Sequence, residues 1–484
     1  MNEKDVVNGV LDEFAKLAEI PRKSGHEKQV SDFLYSYLQS LGLKVVQDET
    51  YNIIADKPAA KGYENAPLTI LQAHMDMVCV AADGVEYDPL TDPIQLVRTE
   101  EYLEADGTSL GSDDGSGIAE IIYIIKKIKN NGPIRVIFTV DEEVGMKGAI
   151  KLDAQYVQDA KYLINCDSEN VDELTVGSAG SVGITFARKL SFAAPKNEKA
   201  VKIVVNGLLG GHSGERIGDG RGNAIHTAAE VLAQLQEEGV SFELASLCGG
   251  KAHNAIAAAA EAVIVIKSAD EEKVAAVCSQ QQERFLQMHG AVDPDGRIAM
   301  TAAAMPSKVF TADEAAGLID LLTILHTGVY AMSQVIPGLV ETSANLGEAH
   351  LEDDVYKVVY FPRSAVDQKL DEIARMAKRL GKLTGYAAEI GTKAPGWKER
   401  KDSNLAKIMA DTYLAQNGSP MKVETIHAGL ECGWYFMKNP KLDMVSIGVT
   451  TENIHSPKER LILATIPPQV ALIEETLKKI AAEK

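Results

Sequence analysis

The chain has 484 residues, of which 45% are apolar, and a formal net charge of −20 with a pI near 5.0. A single hydrophobic core rarely grows beyond about 250–300 residues, so we expect two domains. The acidic balance argues against nucleic acid and membrane surfaces as partners and favours a small molecule or peptide.

The N-terminal part of the chain alternates helical patterns with short apolar runs. Helical periodicity covers 6–20 and 27–41, and a further helix is predicted over 117–128. The runs LTILQA, IRVIFTV and KYLINC, which begin at Leu68, Ile134 and Lys161, predict buried strands. This alternation predicts an α/β fold with a mostly parallel sheet and helices on both faces.

The pattern changes near Gly183 and returns after KAPGWKERKDSN. In between, the partly alternating runs ITFARKL, KIVVNG and AVIVIKS predict strands of a separate α+β domain. Its predicted helices cover 223–238, 271–289, 313–328 and 368–383. After it come a helix over 405–416, a strand LDMVSIGV and a closing helix over 468–482. We therefore predict a discontinuous α/β domain, 1–184 and 397–484, interrupted by an inserted α+β domain, 185–396.

Composition and the N-terminal segment also bear on location. The first twenty residues mix acids into an amphipathic helical pattern, which is not typical of a signal peptide. No run approaches the roughly 18 apolar residues that a membrane span needs. Five scattered cysteines without a CxxC pair predict neither a disulfide framework nor a thiolate zinc site. A cytoplasmic location fits these observations best.

Polar side chains follow several of the apolar runs at the point where each predicted strand ends. In open α/β sheets, ligands bind at the carboxyl ends of the strands, so residues distant in sequence can converge there. The clusters are His74 and Asp76, Asp141 to Glu143, Asp167 and Glu169, and His455, together with Asp113 and Asp114 in the glycine-rich turn GSDDGSG.

Such a concentration of carboxylates predicts bound cations, because burying like charges together is costly unless they are neutralised. Imidazole with carboxylate, and no thiolate, favours zinc, manganese or cobalt over calcium. Two ions that share one carboxylate would account for the number of acids. GSDDGSG is not typical of a phosphate loop, because it lacks the lysine of GxxxxGK and its acids would repel phosphate.

The motifs AHMD, GSDDGSG, DEEVG, NCDSEN, GGHSG and NIHSP, in this order, resemble those of the di-zinc metallopeptidase family that contains carnosinase, aminoacylase and the glutamate-releasing carboxypeptidases. The length, the long insertion and HAGLECG (427–433) resemble the members that cleave Xaa-His dipeptides. The resemblance implies two Zn²⁺ per subunit, for which Co²⁺ or Mn²⁺ could substitute. It also implies a di-zinc catalytic domain and a substrate-clamping lid formed by 185–396.

The resemblance assigns the metal ligands residue by residue. It implies that Asp113 bridges the two ions, that His74 and Asp167 complete one site, and that Glu143 and His455 complete the other. A cis peptide bond is implied after the bridging acid.

The resemblance also implies the residues that act beside the metal. Glu142 matches the general base, which takes a proton from a water activated by the two ions and passes it to the leaving amine. Asp76 matches the acid that orients the His74 imidazole. Asp114 could merely cap the helix that follows it.

Four further residues are expected to bind substrate. The resemblance implies that His212 of GGHSG reaches the substrate carbonyl, although this glycine-rich segment could be only a turn. Asn254 and Arg363 resemble positions that hold the C-terminal carboxylate, for which a guanidinium is the apt partner. Glu431 is expected to neutralise the free amine. We expect His427, beside these motifs, to be structural.

The predicted function is metal-dependent hydrolysis of dipeptides, preferentially Xaa-His dipeptides of the carnosine type. In the family that these motifs resemble, aspartate at the Asp167 position accompanies aminopeptidases and dipeptidases, whereas glutamate is typical of carboxypeptidases. The resemblance therefore implies a dipeptidase, and a lid that clamps both termini would exclude longer peptides. One alternative is a relative that acts on another dipeptide or an N-acyl amino acid. A second is a catalytically silent metal-binding or interaction protein, against which Glu142 argues. A homodimer is possible, although a lid of this length could replace a second subunit.

Overall fold

The computed structural model describes residues 2–334 and 336–483. The chain divides into two compact units. Unit 1 comprises Met1–Gly177, Trp397–Thr425 and Leu430–Lys484, and unit 2 comprises Ser178–Gly396 and Ile426–Gly429. The predicted insertion, 185–396, falls within unit 2, and its role as a lid stays a prediction.

The first part of the chain alternates helices and strands, as predicted. The first helix begins before residue 6, because the side-chain oxygen of Asn2 caps it by accepting the Lys4 N–H at 3.3 Å. The elements are α1 (Glu3–Ala18), α2 (Lys28–Ser40), β1 (Lys44–Gln47), β2 (Ile53–Lys57), β3 (Thr69–His74), β4 (Leu96–Arg98), β5 (Tyr102–Ala105), α3 (Ser112–Lys127), β6 (Ile134–Thr139), α4 (Lys147–Lys151), α5 (Gln155–Gln158), β7 (Tyr162–Asn165) and β8 (Glu173–Ser178).

The middle part is richer in strands than the sequence pattern predicted. The helix predicted over 313–328 ends at Ile324, because Gly328 begins a strand that pairs with its neighbour. The elements are β9 (Gly180–Lys189), β10 (Phe192–Ala193), β11 (Lys199–Asn206), α6 (Ser213–Arg216), α7 (Ala224–Glu237), β12 (Phe242–Gly250), β13 (Ala260–Ile266), α8 (Glu271–His289), β14 (Arg297–Ala302), β15 (Val309–Phe310), α9 (Ala312–Ile324), β16 (Gly328–Met332), β17 (Val340–Glu352), β18 (Val355–Ser364), α10 (Asp367–Thr384) and β19 (Ala387–Ala394).

The C-terminal part returns to unit 1. The strand predicted at LDMVSIGV is shorter than expected and covers four residues of it, and the closing helix carries proline in its first turn, where a missing N–H is tolerated. The elements are α11 (Asn404–Asn417), β20 (Lys422–Ile426), α12 (Cys432–Lys438), β21 (Asp443–Ser446), β22 (Thr451–Glu452), β23 (Arg460–Ile462) and α13 (Ile466–Ala481).

The main sheet of unit 1 has the strand order β1-β2-β6-β3-β7-β21-β8-β20. The neighbours β6, β3, β7 and β21 run parallel, whereas β1, β2 and β8 pair antiparallel beside them. The sheet is therefore parallel, as predicted, at its centre, and antiparallel strands flank this centre. Helices α1, α3 and α13 pack on one another, and α3 packs on β3. Four further strands form a small sheet, β22-β23-β5-β4.

The main sheet of unit 2 has the order β14-β11-β13-β12-β17-β18-β9-β19, with β16 beside β17, and its assigned pairings are antiparallel. Helices α7 to α10 pack on this sheet around a continuous apolar core that includes Ile203, Leu232, Ile264 and Tyr356. Among the described residues, no helix combines the length and apolar character that crossing a membrane requires.

Candidate metal centre

Three adjacent parallel strands bring the first group of polar side chains together. The fully buried β3 ends at His74, β6 is followed by Asp141 to Glu143, and β7 is followed by Asp167. Since β6 and β7 flank β3 on either side in parallel, their carboxyl ends lie at the same edge of the sheet. The polar side chains that follow these hydrophobic strands therefore lie together at one edge of the sheet, as the sequence pattern predicted.

Asp113 lies between two imidazoles. His74 Nε2 is 2.9 Å from Asp113 Oδ1, and His455 Nε2 is 3.2 Å from Asp113 Oδ2. The Asp113–Asp114 peptide bond is cis, which confirms the backbone form that the resemblance implied. The Asp113 carboxylate thus has one oxygen close to each histidine, so two cations could share it.

Each imidazole also has a carboxylate of its own. His74 Nε2 is 3.2 Å from Asp167 Oδ1, and His455 Nε2 is 2.9 Å from Glu143 Oε1. Three sets of residues have possible ligand atoms within 4.8 Å of one another: His74, Glu142 and Glu143; His74, Asp114 and Asp167; and Asp113, Glu143 and His455. The structure therefore brings together all five residues that the sequence assigned as ligands.

The cluster holds more negative charge than its imidazoles can neutralise. Burial, with the neighbouring Asp113 carboxylate, raises the pKa of Asp167 to about 8. Burial and the nearby Asp167 raise the pKa of Glu142 well above its usual range. Hydrogen bonding to Asp113 and Glu143 raises the pKa of His455 to about 10. Although burial alone would lower the pKa of His74, Asp167 and Asp113 raise it well above 6.5.

These residues fit a bound transition-metal ion. Carboxylates crowded in a partly buried site, each beside an imidazole nitrogen, form a donor set that a divalent cation would neutralise. The buried thiol of Cys166 belongs to none of the three sets of ligand atoms among the described residues, and burial raises its pKa well above the usual value. Nitrogen and oxygen donors without sulfur suit zinc, manganese or cobalt.

Asp76 holds the loop that carries the two glutamates. It is fully buried, and its Oδ1 accepts the Glu142 N–H at 3.0 Å while Oδ2 accepts the Glu143 N–H at 3.2 Å and the Ser24 hydroxyl at 2.8 Å. The His74 Nδ1 atom is 3.1 Å from the Asp76 backbone oxygen and 3.4 Å from its carboxylate. The Asp76 backbone therefore also contributes to orienting the imidazole.

Asp114 caps the helix, which is the alternative that the sequence left open. Its Oδ1 accepts the Gly117 N–H at 3.1 Å, and its Oδ2 accepts the His74 N–H at 3.2 Å. The residue is buried, and burial raises the pKa of its carboxyl group well above 3.8. Asp114 thus ties the start of α3 to the end of β3.

Glu431 is enclosed at the base of the site. It has no solvent exposure, and its Oε2 accepts hydrogen bonds from Gln72 at 2.6 Å and Thr139 at 2.7 Å. Its Oε1 has no hydrogen-bond partner among the described residues. Burial raises the pKa of Glu431 to about 7. Its expected contact with a substrate amine stays a prediction.

The remaining predicted substrate residues, His212, Asn254 and Arg363, lie in unit 2. The Ser213 N–H donates to the Asn254 carbonyl at 2.8 Å, which fixes the turn after His212. Arg363 is 7% exposed, and no carboxylate of the described residues forms an ion pair with it. Burial lowers the pKa of Arg363 to about 10. A buried guanidinium without a counter-ion is suited to an anionic ligand.

His427 contacts a residue that is paired with Arg363, a connection that the sequence did not indicate. Its Nε2 is 2.7 Å from the Ser343 hydroxyl, and Ser343 is paired across β17 and β18 with Arg363. Burial and the Arg363 charge lower the pKa of His427 to about 3, so the ring is neutral. These contacts agree with a structural role.

Sequence reasoning missed two buried charged residues, Arg22 and Glu459. Arg22 donates hydrogen bonds to the backbone oxygens of Met75, Asp76 and Gly111. Glu459 accepts backbone N–H groups of the turn that contains Asp113. No local pattern distinguishes either residue from a solvated charge, because their partners are distant in sequence.

Imidazoles and carboxylates gathered at the carboxyl ends of parallel strands are typical of metal-dependent hydrolases. The chain belongs to the peptidase family M20/M25/M40, whose sequence model matches residues 70–479. The prediction of a peptide hydrolase with an α/β domain is thereby confirmed.

Three known proteins match nearly the whole chain. The cytosol non-specific dipeptidase of Escherichia coli (strain K12) is 34% identical over 476 residues, which cover 98% of this chain and 97% of the relative. The crystal structure of aminoacylhistidine dipeptidase from Vibrio alginolyticus has a TM-score of 0.91 and 32% identity, covering 97% of this chain and 96% of that chain. The aminopeptidase PepT from Bacillus cereus ATCC 10987 has a TM-score of 0.59 and 17% identity, covering 98% of this chain and 99% of that chain, and shares the fold.

Proposed function

We propose that this protein is a dipeptidase that binds two zinc ions and hydrolyses dipeptides, preferentially those with C-terminal histidine. The observation that carries the proposal is the position of Asp113, with one oxygen 2.9 Å from His74 and the other 3.2 Å from His455. We propose Asp113 as the shared ligand, with His74 and Asp167 on one ion and Glu143 and His455 on the other.

The bound ions would polarise the scissile carbonyl and make an attacking water more acidic. Glu142 accepts the proton of that water and returns it to the leaving amine. A group that both takes and gives a proton works best when its pKa lies near the operating pH, and burial beside Asp167 raises the pKa of Glu142 in that direction. Asp76 supports this role, because it accepts the Glu142 N–H.

In unit 2, Arg363 binds the C-terminal carboxylate of the substrate, with Asn254, and His212 contacts the scissile carbonyl. The buried guanidinium of Arg363 lacks an ion-pair partner among the described residues, which supports binding of an anionic group. His212 is half-buried, and its Nδ1 has no hydrogen-bond partner among the described residues. Unit 2 in this proposal is the substrate-clamping lid.

The names of the two relatives indicate different breadths of substrate choice. The Escherichia coli relative is named as non-specific, and the Vibrio alginolyticus protein is named for aminoacyl-histidine. We propose dipeptide hydrolysis in general with a preference for Xaa-His, and a cytoplasmic location, in keeping with the cytosolic name of the Escherichia coli relative. A homodimer stays a prediction, which light scattering after size exclusion can test.

The test is hydrolysis by metal-free protein reconstituted with Zn²⁺, Mn²⁺ or Co²⁺ in turn. Product amino acids are quantified for Gly-His, carnosine, Gly-Ala, N-acetyl-histidine and the tripeptide Gly-His-Gly. We expect the dipeptides to be cleaved, Gly-His faster than Gly-Ala, and the last two compounds to be cleaved poorly. Faster cleavage of N-acetyl-histidine would indicate an acylase, and no cleavage with any metal would contradict the proposal.

A further inference from the structure

One buried carboxylate binds the backbone of the turn that carries Asp113. Glu459 Oε2 accepts the N–H groups of Leu110 at 2.8 Å and Gly111 at 3.0 Å, and its Oε1 accepts those of Ser112 at 2.7 Å and Asp113 at 3.4 Å. Glu459 is 2% exposed. Consecutive N–H groups directed at one anion form a concave binding site, and here the anion belongs to the protein itself.

A buried cation holds the same turn from its carbonyl side. Arg22 is 2% exposed and donates to the backbone oxygen of Gly111, and also to those of Met75 at 3.2 Å and Asp76 at 3.3 Å. The turn is therefore bonded on one side to Glu459 and on the other to Arg22. Through Arg22 it is joined to the residues that directly follow His74.

The turn has little room to move. Gly111 has a φ of 71°, and a Cβ atom there would collide with the Arg22 guanidinium and the Met77 sulfur. A Cβ atom on Gly115 would also collide with Arg22. Close packing of backbone against these side chains favours a single position for the turn.

Glu459 also connects this turn with the second imidazole. It lies in the loop between β22 and β23, which carries His455, and the hydroxyl of Thr451, the first residue of β22, is 2.8 Å from the Ser112 hydroxyl. The turn is thus joined to this loop through Glu459 and to the preceding strand through Thr451. Asp113 Oδ2 and His455 Nε2, which these contacts connect, are 3.2 Å apart.

We propose that Glu459 is a positioning residue that holds Asp113 against His455, and that Arg22 holds the same turn relative to His74. The two residues act through the backbone and contact neither substrate nor metal. The inference rests on the proposed function for the identity of the metal, but its test measures metal binding separately from catalysis.

The test is Glu459→Gln, with Glu13→Gln as a matched control. In glutamine an NH₂ group replaces one of the two carboxylate oxygens, and this group donates instead of accepting. Two of the four backbone N–H groups therefore lose their acceptor. Glu13 is another buried acid of unit 1, 3% exposed, and its partners are Lys16, Lys126 and Tyr37. Its substitution removes buried charge-assisted bonds at a place that does not contact the turn.

Affinity for Zn²⁺ alone is measured by competition with a chelator, beside kcat and KM for Gly-His at saturating zinc and the melting temperature. We expect Glu459→Gln to lower zinc affinity by about 10–100-fold and to lower kcat with KM changed less than twofold. Glu13→Gln should lower the melting temperature and leave zinc affinity within twofold. Glu459→Asp, which keeps the charge but is one methylene shorter, should fall between wild type and Glu459→Gln.

Two results would overturn the inference. Zinc affinity and kcat of Glu459→Gln equal to those of wild type would show that the turn does not need this acid. A loss of zinc affinity in Glu13→Gln as large as that in Glu459→Gln would show a general effect of stability. If Glu459→Gln does not fold, the zinc affinity of Glu459→Asp is compared with those of wild type and Glu13→Gln instead, and the same two results would overturn the inference. Failure of the proposed function looks different, since wild type would then bind zinc without cleaving dipeptides.

Discussion

Substitution of Asp76 with asparagine tests whether its carboxylate holds the loop that carries the proposed base. One oxygen accepts the Glu142 N–H, and the other accepts the Glu143 N–H and the Ser24 hydroxyl. Asparagine has the same shape, but its NH₂ group donates, so at least one backbone N–H loses its acceptor. A buried donor without a partner costs about 1–3 kcal/mol. The bond that remains is also weaker, because charge-assisted hydrogen bonds are roughly twice as strong as neutral ones.

We expect kcat/KM for Gly-His to fall by about 10–100-fold in Asp76→Asn, which corresponds to about 1.4–2.7 kcal/mol in activation free energy. Bound zinc should be retained, because the Asp76 backbone oxygen still accepts from His74 at 3.1 Å. The assay is steady-state hydrolysis at saturating zinc, with metal content measured on the same samples.

Ser24→Ala is the control for this series. It removes one hydrogen bond to the Asp76 carboxylate and leaves both backbone N–H groups paired, so its loss of kcat/KM should be several-fold smaller. Wild-type activity in Asp76→Asn, or an equal loss in Ser24→Ala, would refute the view that the carboxylate positions the Glu142 loop.

Three further predictions concern single carboxylates or charges. Glu142→Gln should keep zinc but lose about 10²–10⁴-fold in kcat, whereas Glu143→Gln should lose zinc, and metal analysis beside activity distinguishes them. Burial raises the pKa of Glu431 from 4.5 to about 7, so this group should contribute a loss of stability of up to about 3 kcal/mol to the metal-free protein as pH rises between these values. Asp167, whose pKa burial raises to about 8, contributes a loss of the same sign. In Glu431→Gln the decrease in stability between pH 5 and pH 8, measured by urea unfolding, should therefore be smaller than in wild type by the Glu431 contribution. Arg363→Lys should raise KM for dipeptides at least about 10-fold with kcat little changed, because an ammonium cannot make the paired contact of a guanidinium, and an unchanged KM would exclude carboxylate binding there.

Much of the metal centre could be predicted from the sequence, because strand and ligand are neighbours in the chain. A buried run such as LTILQA predicts a strand, and His74 at its end must lie at the edge of the sheet. The same reasoning led to Glu143 and Asp167. The order of the motifs then made the family assignment possible, and the match over residues 70–479 agrees with it.

The hydrogen bonds that support the metal centre could not be predicted from the sequence in this way. Glu459 is a charged residue in a polar loop, and its N–H partners lie about 350 positions earlier in the chain. Glu431 was expected to neutralise a substrate amine, yet its partners Gln72 and Thr139, which no local pattern indicates, lie on the buried strands β3 and β6. The order of strands in the unit 2 sheet could also not be predicted, because local periodicity does not indicate which strands are neighbours.

The sequence alone therefore determined that His74, Glu143 and Asp167 lie at the ends of buried strands, because side-chain periodicity and the position of polar residues after apolar runs are local properties. Asp113 and His455 lie in a turn and a loop, and they were predicted from the resemblance of their motifs. Only the tertiary structure decided which oxygen of Asp113 faces which imidazole, and which buried charges hold its turn. These depend on hydrogen bonds between distant segments, and a buried N–H or carboxylate finds its partner only when the whole domain has packed.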